Sequence, residues 1–455
     1  MAMPDWWSRV PRPIKDLRAV DRLARVLTNH ERSDPFHRGR ARLSLRATRR
    51  LVRWLRDPLR GIPVVHVAGS KGKGSVCLLA DGLLRAQGLR TGLYLSPHVD
   101  AWNERIQVGG RPLAPRAMGR HVERVLRVAA RHGAGPPTLF ETLTAAAFDA
   151  FRAARVDVAI VEVGIGGRLD ATNVVRADVA VVTAIEREHV AVLGPTLADI
   201  AAQKAGICKR GAAVVSGVGA EAPLAAVIRG VARAQGAGPI LQWRRDLRIE
   251  PDAGGFVLHR RGAPPLSLPA PAGGPFAARN AALAIAAVGL LAERRPALGI
   301  ALERARLAAG LRLARLPARL ELVGDRPRTW RDGAHTPASL RAAVRAVAAA
   351  AGAPPVVLLA LKRDKPLARC VAALRGVCGP LVATVVPGGR SHPPERIVAA
   401  ARRLGIMSRC VPDPAAALAL ARRRARPRGA VLVTGSFWLA GLTRSLGRAA
   451  RRRNR

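Results

Sequence analysis

Short runs of consecutive apolar residues alternate with segments of helical periodicity along most of the chain. In the first part of the chain these runs are IPVVHVAG (62–69), LRTGLYLS (89–96), VDVAIVEVG (156–164), ADVAVVTAI (177–185) and GAAVVSG (211–217). The segment 75–88 between the first two runs has helical spacing and ends at Gly88. Near-continuous apolar runs of strand length are typical of parallel strands that are covered on both faces. The pattern therefore predicts an α/β domain built on a parallel sheet.

A second, shorter alternating series begins after about residue 310. Its apolar runs are RTWRDGAH, PPVVLLAL, PLVATVV and AVLVTGSF, with helices predicted from Pro337, from Pro366 and near 394–404. The junction is expected in GLRLARLPARLE, which contains Pro317. We therefore predict an N-terminal domain over 1–312 and a smaller Rossmann-like α/β domain over 313–455. Helices are expected within 17–60, before the first strand, and a short β excursion within 248–274.

Composition and charge narrow the class of protein. The chain has 455 residues, of which 49% are hydrophobic and 24% charged, as in globular proteins. The net charge of +45 would ordinarily suggest nucleic acid as a partner, yet only seven of the 76 basic residues are lysines. The arginines are dispersed and do not interleave with aromatic residues, which favours a coding bias over nucleic-acid binding. The few lysines are therefore expected where a compact ammonium is needed.

Cysteine usage and the N-terminus bear on the compartment. Five cysteines without CxxC spacing indicate buried small side chains rather than a disulfide framework or a zinc site. The N-terminus lacks the apolar stretch of a signal peptide. No uncharged run reaches membrane-spanning length without including Pro or Gly. We expect a cytoplasmic, monomeric protein that does not bind membranes.

The segment HVAGSKGKGSVC (66–77) lies between a predicted strand and a predicted helix, as a phosphate-binding loop requires. Lys73 supplies a point charge, and Ser75 offers a hydroxyl to Mg²⁺ at the helix N-terminus. The glycines that let backbone N–H groups approach phosphate oxygens are Gly69, Gly72 and Gly74. A glycine-rich turn without a phosphate role is the alternative, which the presence of both Lys73 and Ser75 disfavours.

Gly74 separates the lysine from the hydroxyl residue, so the loop does not end in the usual GK[ST]. This spacing is similar to the GTNGKG[ST] loop of the folylpolyglutamate synthase and dihydrofolate synthase family, a branch of the Mur ligase superfamily. The most specific further match is VEVGIGGRLDATNVV (161–175), which resembles the family's EVGLGGRLDATN signature. Other segments that resemble the family, in its order, are LYLSPHVDAWNERIQVGG (93–110), TLFETLTAAAF (138–148), TAIEREHVAVLG (183–194), QKAGICK (203–209), ARLEL (318–322), WRDGAHTPASL (330–340), KRDKP (362–366) and VLVTGSFWLAG (431–441). The resemblance extends over about 20–445.

The resemblance implies a fold and a reaction. The fold would be a P-loop ATPase-type parallel-sheet domain, like the central domain of Mur ligases, followed by a smaller Rossmann-like domain. The reaction would join L-glutamate to dihydropteroate, to the γ-carboxyl of a folate, or to both, with ATP and Mg²⁺. ATP would turn the acceptor carboxylate into an acyl phosphate, so that catalysis consists mainly of positioning and charge neutralisation.

Metal ligands are expected at the carboxyl ends of two strands. Glu162 ends one apolar run and His189 follows another, and such strand ends are where α/β proteins bind ligands. Together with Ser75 they form a plausible Mg²⁺ set; the alternative is that each is structural. The resemblance implies in addition a carbamate on Lys204 that helps to hold a second Mg²⁺. Carbamylation needs a neutral amine, which burial favours, and the alternative is an ion-paired lysine.

The resemblance also implies residues for the nucleotide and the substrates. Lys73, His189 and Lys204 would take part in catalysis together with Asp332 and His335. Besides the loop residues, the nucleotide would contact Asn280, Arg319 and Asp332. The spacing alone allows Arg319, just past the domain junction, to reach phosphates on closure, although many arginines surround it. Weaker candidates for the pterin or glutamate side are Ser96, Glu141 and Arg168.

Several positions depart from the family's pattern, namely Lys71, Glu188, Ala277, Thr336 and Pro366. None removes a predicted metal ligand or the loop lysine, but together they leave the acceptor open. Three hypotheses follow: dihydrofolate or folylpolyglutamate synthesis, a divergent Mur-type ligase with another carboxylate substrate, and a basic nucleic-acid-binding ATPase. In the last of these, EVGIGGRLDATN and Lys204 would have no role.

Overall fold

The computed structural model describes residues 3–29, 44–274, 276–386 and 391–443, which form two compact units. The first unit comprises the described parts of 1–271 and 278–315, and the second those of 272–277 and 316–455. Both are α/β, so the predicted fold class is confirmed. The terminal residues from 444 onward, which carry the basic tail, lie outside the described residues.

An 11-stranded sheet forms the centre of the first unit. Its strands are β1 (Val64–Ala68), β2 (Thr91–Tyr94), β3 (Ile106–Val108), β4 (Arg111–Pro112), β5 (Val158–Glu162), β6 (Val179–Val182), β7 (Ala213–Gly219), β8 (Ile240–Trp243), β9 (Leu247–Asp252), β10 (Gly255–Arg260) and β11 (Leu266–Pro269). Their order across the sheet is β11-β10-β9-β8-β7-β6-β1-β5-β2-β3-β4. The six neighbouring strands β8-β7-β6-β1-β5-β2 are parallel to one another, β9 pairs in parallel with β8, and antiparallel strands extend the sheet on both sides. The predicted β excursion forms one of these edges.

Helices cover both faces of this sheet, as the apolar strands require. They are α1 (Leu17–Val26), α2 (Arg46–Trp54), α3 (Lys73–Arg85), α4 (Pro115–Arg131), α5 (Leu139–Ala153), α6 (Val190–Leu193), α7 (Leu197–Ala205), α8 (Pro223–Ala234), α9 (Ala277–Arg294) and α10 (Arg304–Leu313). The helices expected within 17–60 are α1 and α2, while 30–43 lie outside the described residues. Gly82 of α3 packs against the backbone of Gly310 in α10, where a Cβ would lie 2.4 Å from the Gly310 oxygen.

The strand order places the candidate chemistry. Strand β1 lies between β5 and β6, and all of its residues are buried. Because the three strands are parallel, their carboxyl ends meet at one edge of the sheet, where ligands bind in such folds. The glycine-rich loop follows β1, Glu162 ends β5, and the segment to His189 follows β6. The topology therefore brings the three motifs together.

The second unit has a six-stranded sheet in the order β12-β13-β17-β14-β15-β16, parallel except for β12. The strands are β12 (Glu321–Asp325), β13 (Arg328–Arg331), β14 (Val356–Leu359), β15 (Leu381–Ala383), β16 (Ser408–Cys410) and β17 (Ala430–Thr434). The helices are α11 (Pro337–Ala351), α12 (Leu367–Ala372), α13 (Pro394–Arg403) and α14 (Pro414–Ala425). The three predicted helices are confirmed; β12, β16 and α14 were not predicted.

All five cysteines are free thiols. Among the described helices, none combines the length and the apolar character that crossing a membrane requires.

Candidate functional site

The glycine-rich loop has the backbone of a phosphate-binding turn. Gly72 precedes α3 with a φ of 88°, a left-handed conformation that glycine adopts without strain. Gly69 has a φ of 146° and packs so closely on β6 that a Cβ there would lie 1.8 Å from Thr183 Oγ1. Lys73 opens α3, and its Nζ donates a hydrogen bond to the Gly69 carbonyl at 3.0 Å. The lysine thus folds back over the loop, where it can meet a phosphate at the helix N-terminus.

Hydrogen bonds fasten the loop to the segment that follows β6. The Ser70 backbone N–H donates to the Ala184 carbonyl at 2.7 Å, and the Ser70 hydroxyl bonds the Glu186 carbonyl at 3.0 Å. Thr183 Oγ1 donates to the Lys71 carbonyl at 2.6 Å. The position of the loop is therefore coupled to the segment that carries Glu188 and His189.

Glu162 lies beside the first turn of α3 and is 4% exposed. Its Oε2 accepts a hydrogen bond from the Ser96 backbone N–H at 2.9 Å. A Cβ on Gly74 would lie 3.4 Å from the same oxygen, so the extra glycine leaves open the space in front of the carboxylate. In the described part of the chain, the Ser75 hydroxyl has no hydrogen-bond partner. A carboxylate and a free hydroxyl beside a phosphate loop fit a Mg²⁺ ion bound through few protein oxygens.

The role of Gly74 is testable by filling that space. We expect Gly74→Val to lower metal-dependent ATP turnover by roughly 10²-fold, because the branched side chain would block the position where a metal stabilises charge. Gly74→Ala adds only a Cβ at an ordinary contact distance and should retain most of the activity. Steady-state kinetics with varied Mg²⁺ measure both; equal losses in the two variants would contradict this role.

Lys204 lies in α7 and forms an ion pair with Glu188, with Nζ 2.8 Å from Oε1. The Lys204 side chain is only 2% exposed. Burial is the main cause that lowers the pKa of Lys204 to about 8; the charges of Lys73 and Lys71 act in the same direction, and Glu188 opposes them. Burial raises the pKa of Glu188, but Lys73 and Lys204 outweigh it and hold that pKa at about 2. The Lys204–Glu188 ion pair therefore lies within the electrostatic influence of the loop lysines.

His189 directly precedes α6 in a left-handed conformation, with a φ of 47°, and is exposed. Its charge acts on Glu188, which places it at the same edge of the sheet. No group of three or more His, Cys, Asp or Glu side chains converges on a metal-sized point within the described ranges. The set of Ser75, Glu162 and His189 therefore stays a prediction.

The most specific motif builds a rigid loop. Asp170 is 4% exposed and accepts hydrogen bonds from the N–H groups of Ile165 (2.8 Å) and Thr172 (3.0 Å) and from Thr172 Oγ1 (2.5 Å). Asn173 Nδ2 donates to the carbonyls of Arg168 (3.0 Å) and Gly206 (3.1 Å). These bonds fasten the loop to the end of α7 and leave the Arg168 side chain exposed. The polar side chains of the motif therefore act mainly by forming hydrogen bonds that hold the loop backbone in place.

The other residues predicted for the first unit have these positions. Glu141 forms a capping box with Thr138 at the start of α5, since its Oε2 accepts from the Thr138 N–H at 2.8 Å. Ser96 holds Glu162 through its backbone. Asn280 lies against the loop, where a Cβ on Gly72 would be 2.7 Å from Asn280 Oδ1. The proposed substrate roles of Ser96, Glu141 and Arg168 remain predictions, as does nucleotide binding by Asn280.

In the second unit, Asp332 lies at the end of β13 and is 8% exposed. Its carboxylate accepts from the backbone N–H of Leu320 (2.8 Å) and of Ala334 (2.7 Å). Burial raises the pKa of Asp332, and the charge of Arg319 opposes this shift. The Arg319 guanidinium stacks 4.8 Å above the Phe437 ring, which the sequence did not single out. The structure thus brings Arg319 and Asp332 together.

His335 follows Asp332 closely, and its Nδ1 lies 2.7 Å from the Gly333 carbonyl, to which it can donate. Two departures from the family's pattern lie at helix starts in this unit. Thr336 caps α11, accepting from the Ser339 N–H, and Pro366 directly precedes α12. Ala277 opens α9 and is buried. The geometry gives these three departures local structural roles.

Comparisons with known proteins agree with this geometry. The family described as Mur ligase, glutamate ligase domain, matches residues 318–437. The dihydrofolate synthase/folylpolyglutamate synthase of Mycobacterium tuberculosis is 34% identical over 442 residues, which cover 87% of this chain and 88% of that protein. A probable bifunctional folylpolyglutamate synthase/dihydropteroate synthase of Haloferax volcanii is 36% identical over 417 residues; this chain spans about half (47%) of its length.

A solved structure is similar over nearly the whole chain. A bifunctional folylpolyglutamate synthase/dihydrofolate synthase with Mn, AMPPNP and L-glutamate bound superposes with a TM-score of 0.81 at 28% identity and covers 96% of this chain and 100% of that one. The predicted family and its ligase class are thereby confirmed. With its glycine-spaced loop, its motif loop and its second α/β unit, the chain belongs to the dihydrofolate synthase/folylpolyglutamate synthase family of ATP-dependent ligases.

Proposed function

We propose that this protein joins L-glutamate to dihydropteroate, to the γ-carboxyl of a folate, or to both, with hydrolysis of ATP to ADP and phosphate. The observation that carries the proposal is the meeting of Lys73 and Glu162 at one edge of the parallel sheet, with Gly74 leaving space beside the carboxylate. Further support comes from the similar solved bifunctional folylpolyglutamate synthase/dihydrofolate synthase, which has Mn, AMPPNP and L-glutamate bound.

The chemistry needs two steps. An oxygen of the acceptor carboxylate attacks the γ-phosphorus of ATP, the bond from that phosphorus to the β–γ bridging oxygen breaks, and ADP leaves. The glutamate nitrogen then attacks the acyl carbon, the carbon–oxygen bond to phosphate breaks, and the nitrogen loses a proton. Both steps develop negative charge on phosphoryl oxygens, so positively charged groups fixed in advance contribute most.

Different parts of the chain would supply the groups that bind the phosphates, the metal and the nucleotide. The loop N–H groups and Lys73 would hold the β- and γ-phosphates, and Ser75 with Glu162 would hold Mg²⁺. The ion, when bound, neutralises charge between the two phosphates. In the second unit, Arg319 and Asp332 are proposed to bind the nucleotide, with His335 beside them. Buried Asp332 fixes the backbone at Leu320 and Ala334, the residues that follow Arg319 and Gly333, which suits a positioning role.

Two features implied by the resemblance remain predictions: the carbamate on Lys204 and a second Mg²⁺. The pKa of about 8 for Lys204 supports a carbamate, because a neutral amine is accessible near neutral pH. The 2.8 Å ion pair with Glu188 opposes it, because the nitrogen is already engaged. A cytoplasmic location, a monomeric state and the absence of nucleic acid among the partners are likewise proposed.

The direct test is mass spectrometry of the products after incubation with ATP, Mg²⁺ and L-glutamate, in parallel with dihydropteroate and with tetrahydrofolate. A gain of one glutamyl unit on dihydropteroate would assign dihydrofolate synthesis, and serial gains on the folate would assign polyglutamylation. If neither acceptor gained mass while ATP still bound, the acceptor would be another carboxylate. ATPase activity stimulated by nucleic acid would instead favour the third hypothesis.

A further inference from the structure

The first turn of α9 carries two neighbouring polar side chains beside the phosphate loop. Asn280 lies against the loop, since a Cβ on Gly72 would be 2.7 Å from its Oδ1. The preceding residue, Arg279, reaches the carboxyl end of β7, where its Nη2 donates a hydrogen bond to the Gly217 carbonyl. The start of α9 therefore joins the loop after β1 to the end of β7, which lies two strands away in the sheet.

The end of β7 is irregular at the point that Arg279 contacts. The register between β7 and β8 shifts between Ser216 and Gly219, so the regular ladder is interrupted there. Gly217 lies within this interruption, and its carbonyl accepts from Arg279. Irregularities of this kind are frequent next to binding sites, where they redirect side chains. Arg279 thus fixes a bulged strand end at the edge of the sheet where ligands bind in α/β folds.

The guanidinium of Arg279 is half-buried and has few partners. It lies 5.2 Å from the centre of the Trp243 ring, which is 8% exposed. In the part of the chain that the structure describes, the bond to Gly217 is the only hydrogen bond of this side chain, and no carboxylate pairs with it. Burial and the charge of Arg244 lower the pKa of Arg279. A guanidinium has five N–H donors, and a partly buried cation without a partner is unfavourable, so a ligand is expected here.

The position of Arg279 indicates which part of a nucleotide that ligand is. In the proposed function the phosphates lie on the loop that follows β1, beside Lys73. Neighbouring strands are about 4.8 Å apart, so the end of β7 lies roughly 10 Å from the strand that carries the loop. Asn280, the predicted nucleotide contact, adjoins both the loop and Arg279. The base is the part of ATP farthest from the γ-phosphate, and a purine offers ring nitrogens as acceptors and a π face to a cation.

We propose that Arg279 contacts the purine base of ATP, with Trp243 and the Gly217 carbonyl holding the guanidinium in place. This inference rests on the proposed nucleotide-dependent ligase function. Arg279 was not among the residues predicted from the sequence. Its contact concerns the nucleotide alone and does not depend on which acceptor is used. Because the base is remote from the reacting phosphoryl group, Arg279 should contribute to ATP binding and not to the chemical step.

The test compares a nucleotide with a ribose triphosphate that has no base. The probes are AMPPNP and ribose 5-triphosphate, each titrated calorimetrically with Mg²⁺ and without acceptor or glutamate. Arg279→Met removes the guanidinium but keeps an unbranched apolar stem beside Trp243. We expect this variant to bind AMPPNP about tenfold more weakly, the loss of one charge-assisted contact, and ribose 5-triphosphate as the wild type does. Steady-state kinetics should show a raised KM for ATP and an unchanged kcat.

Two further variants separate a contact with the base from a structural role. Arg279→Lys keeps the charge and can still donate to the Gly217 carbonyl but lacks the planar guanidinium, so it should recover only part of the AMPPNP affinity. It also provides the same comparison of probes if the methionine variant does not fold. Arg244→Met is the matched control, since it removes an exposed neighbouring arginine that pairs with Glu221, and it should bind both probes as the wild type does.

Two results would overturn the inference. Equal weakening of both probes in the Arg279 variants would show that the residue supports the loop or the end of β7 without contacting the base. Unchanged AMPPNP affinity would exclude any contact with the nucleotide. Both results leave the ligase assignment standing, because the mass gain of the acceptor tests it separately. A missing mass gain would contradict the proposed acceptors and leave the two affinities measurable.

Discussion

Replacing Lys73 by alanine is expected to lower kcat by about 10²–10³-fold while leaving the fold intact. Lys73 lies in the first turn of α3, and its ammonium is held over the loop by the Gly69 carbonyl. In that position it would stabilise charge that develops on the transferred phosphoryl group, which is the role proposed for it. Steady-state kinetics of ADP release, with saturating acceptor and glutamate, measure the change.

The controls for this substitution separate charge from fold. Lys15→Ala removes an exposed lysine and should leave kcat unchanged. Lys73→Arg keeps the charge but brings a planar guanidinium into a turn shaped for an ammonium, so it should rescue only part of the activity. Full activity of Lys73→Ala, with circular dichroism unchanged, would show that this loop does not handle the reacting phosphate.

The fold could be predicted from the sequence because the central strands are nearly uniform apolar runs. β1, β5 and β6 are buried over their whole lengths, so each was visible as a run. β16 contains Ser408, Arg409 and Cys410 and lies at a sheet edge. Its short, partly polar sequence is not an apolar run and therefore did not indicate a strand. The two strands that the pattern missed in the second unit, β12 and β16, are both edge strands of its sheet.

Candidate site residues could be predicted where they belong to a local sequence motif. Contacts that depend on how distant segments pack together could not. The loop, Glu162 and Lys204 could be proposed from the sequence because each lies at the end of an element or within a distinctive motif. The ion pair between Glu188 and Lys204 forms only when their two segments pack together, so it could not be predicted from the sequence. The one indication was that Glu188 departs from the family's pattern. Phe437 carries no chemical signal of its own and becomes notable only under the Arg319 guanidinium.

Asp170 is expected to stabilise the fold of the motif loop rather than to contact a ligand. Asp170→Ala is expected to lower the free energy of unfolding of the first unit by about 3 kcal/mol, because three donors, two of them buried, lose this acceptor and each group left unsatisfied costs roughly 1–3 kcal/mol. The Thr172 hydroxyl keeps its contact with His66 Nε2. The donors are the N–H groups of Ile165 and Thr172 and the Thr172 hydroxyl. Urea unfolding measures the loss, and Asp5→Ala, at an exposed carboxylate, is the control.

Hydrogen exchange locates the same effect. Loss of Asp170 should accelerate amide exchange first within 164–175 and at the end of α7, because Asn173 fastens these two segments to each other. The central strands should stay protected until the unit unfolds as a whole. If instead Asp170→Ala kept its stability and lost only substrate affinity, the carboxylate would contact a ligand. The family's most specific motif would then be a binding surface rather than a support for Glu162 and Arg168.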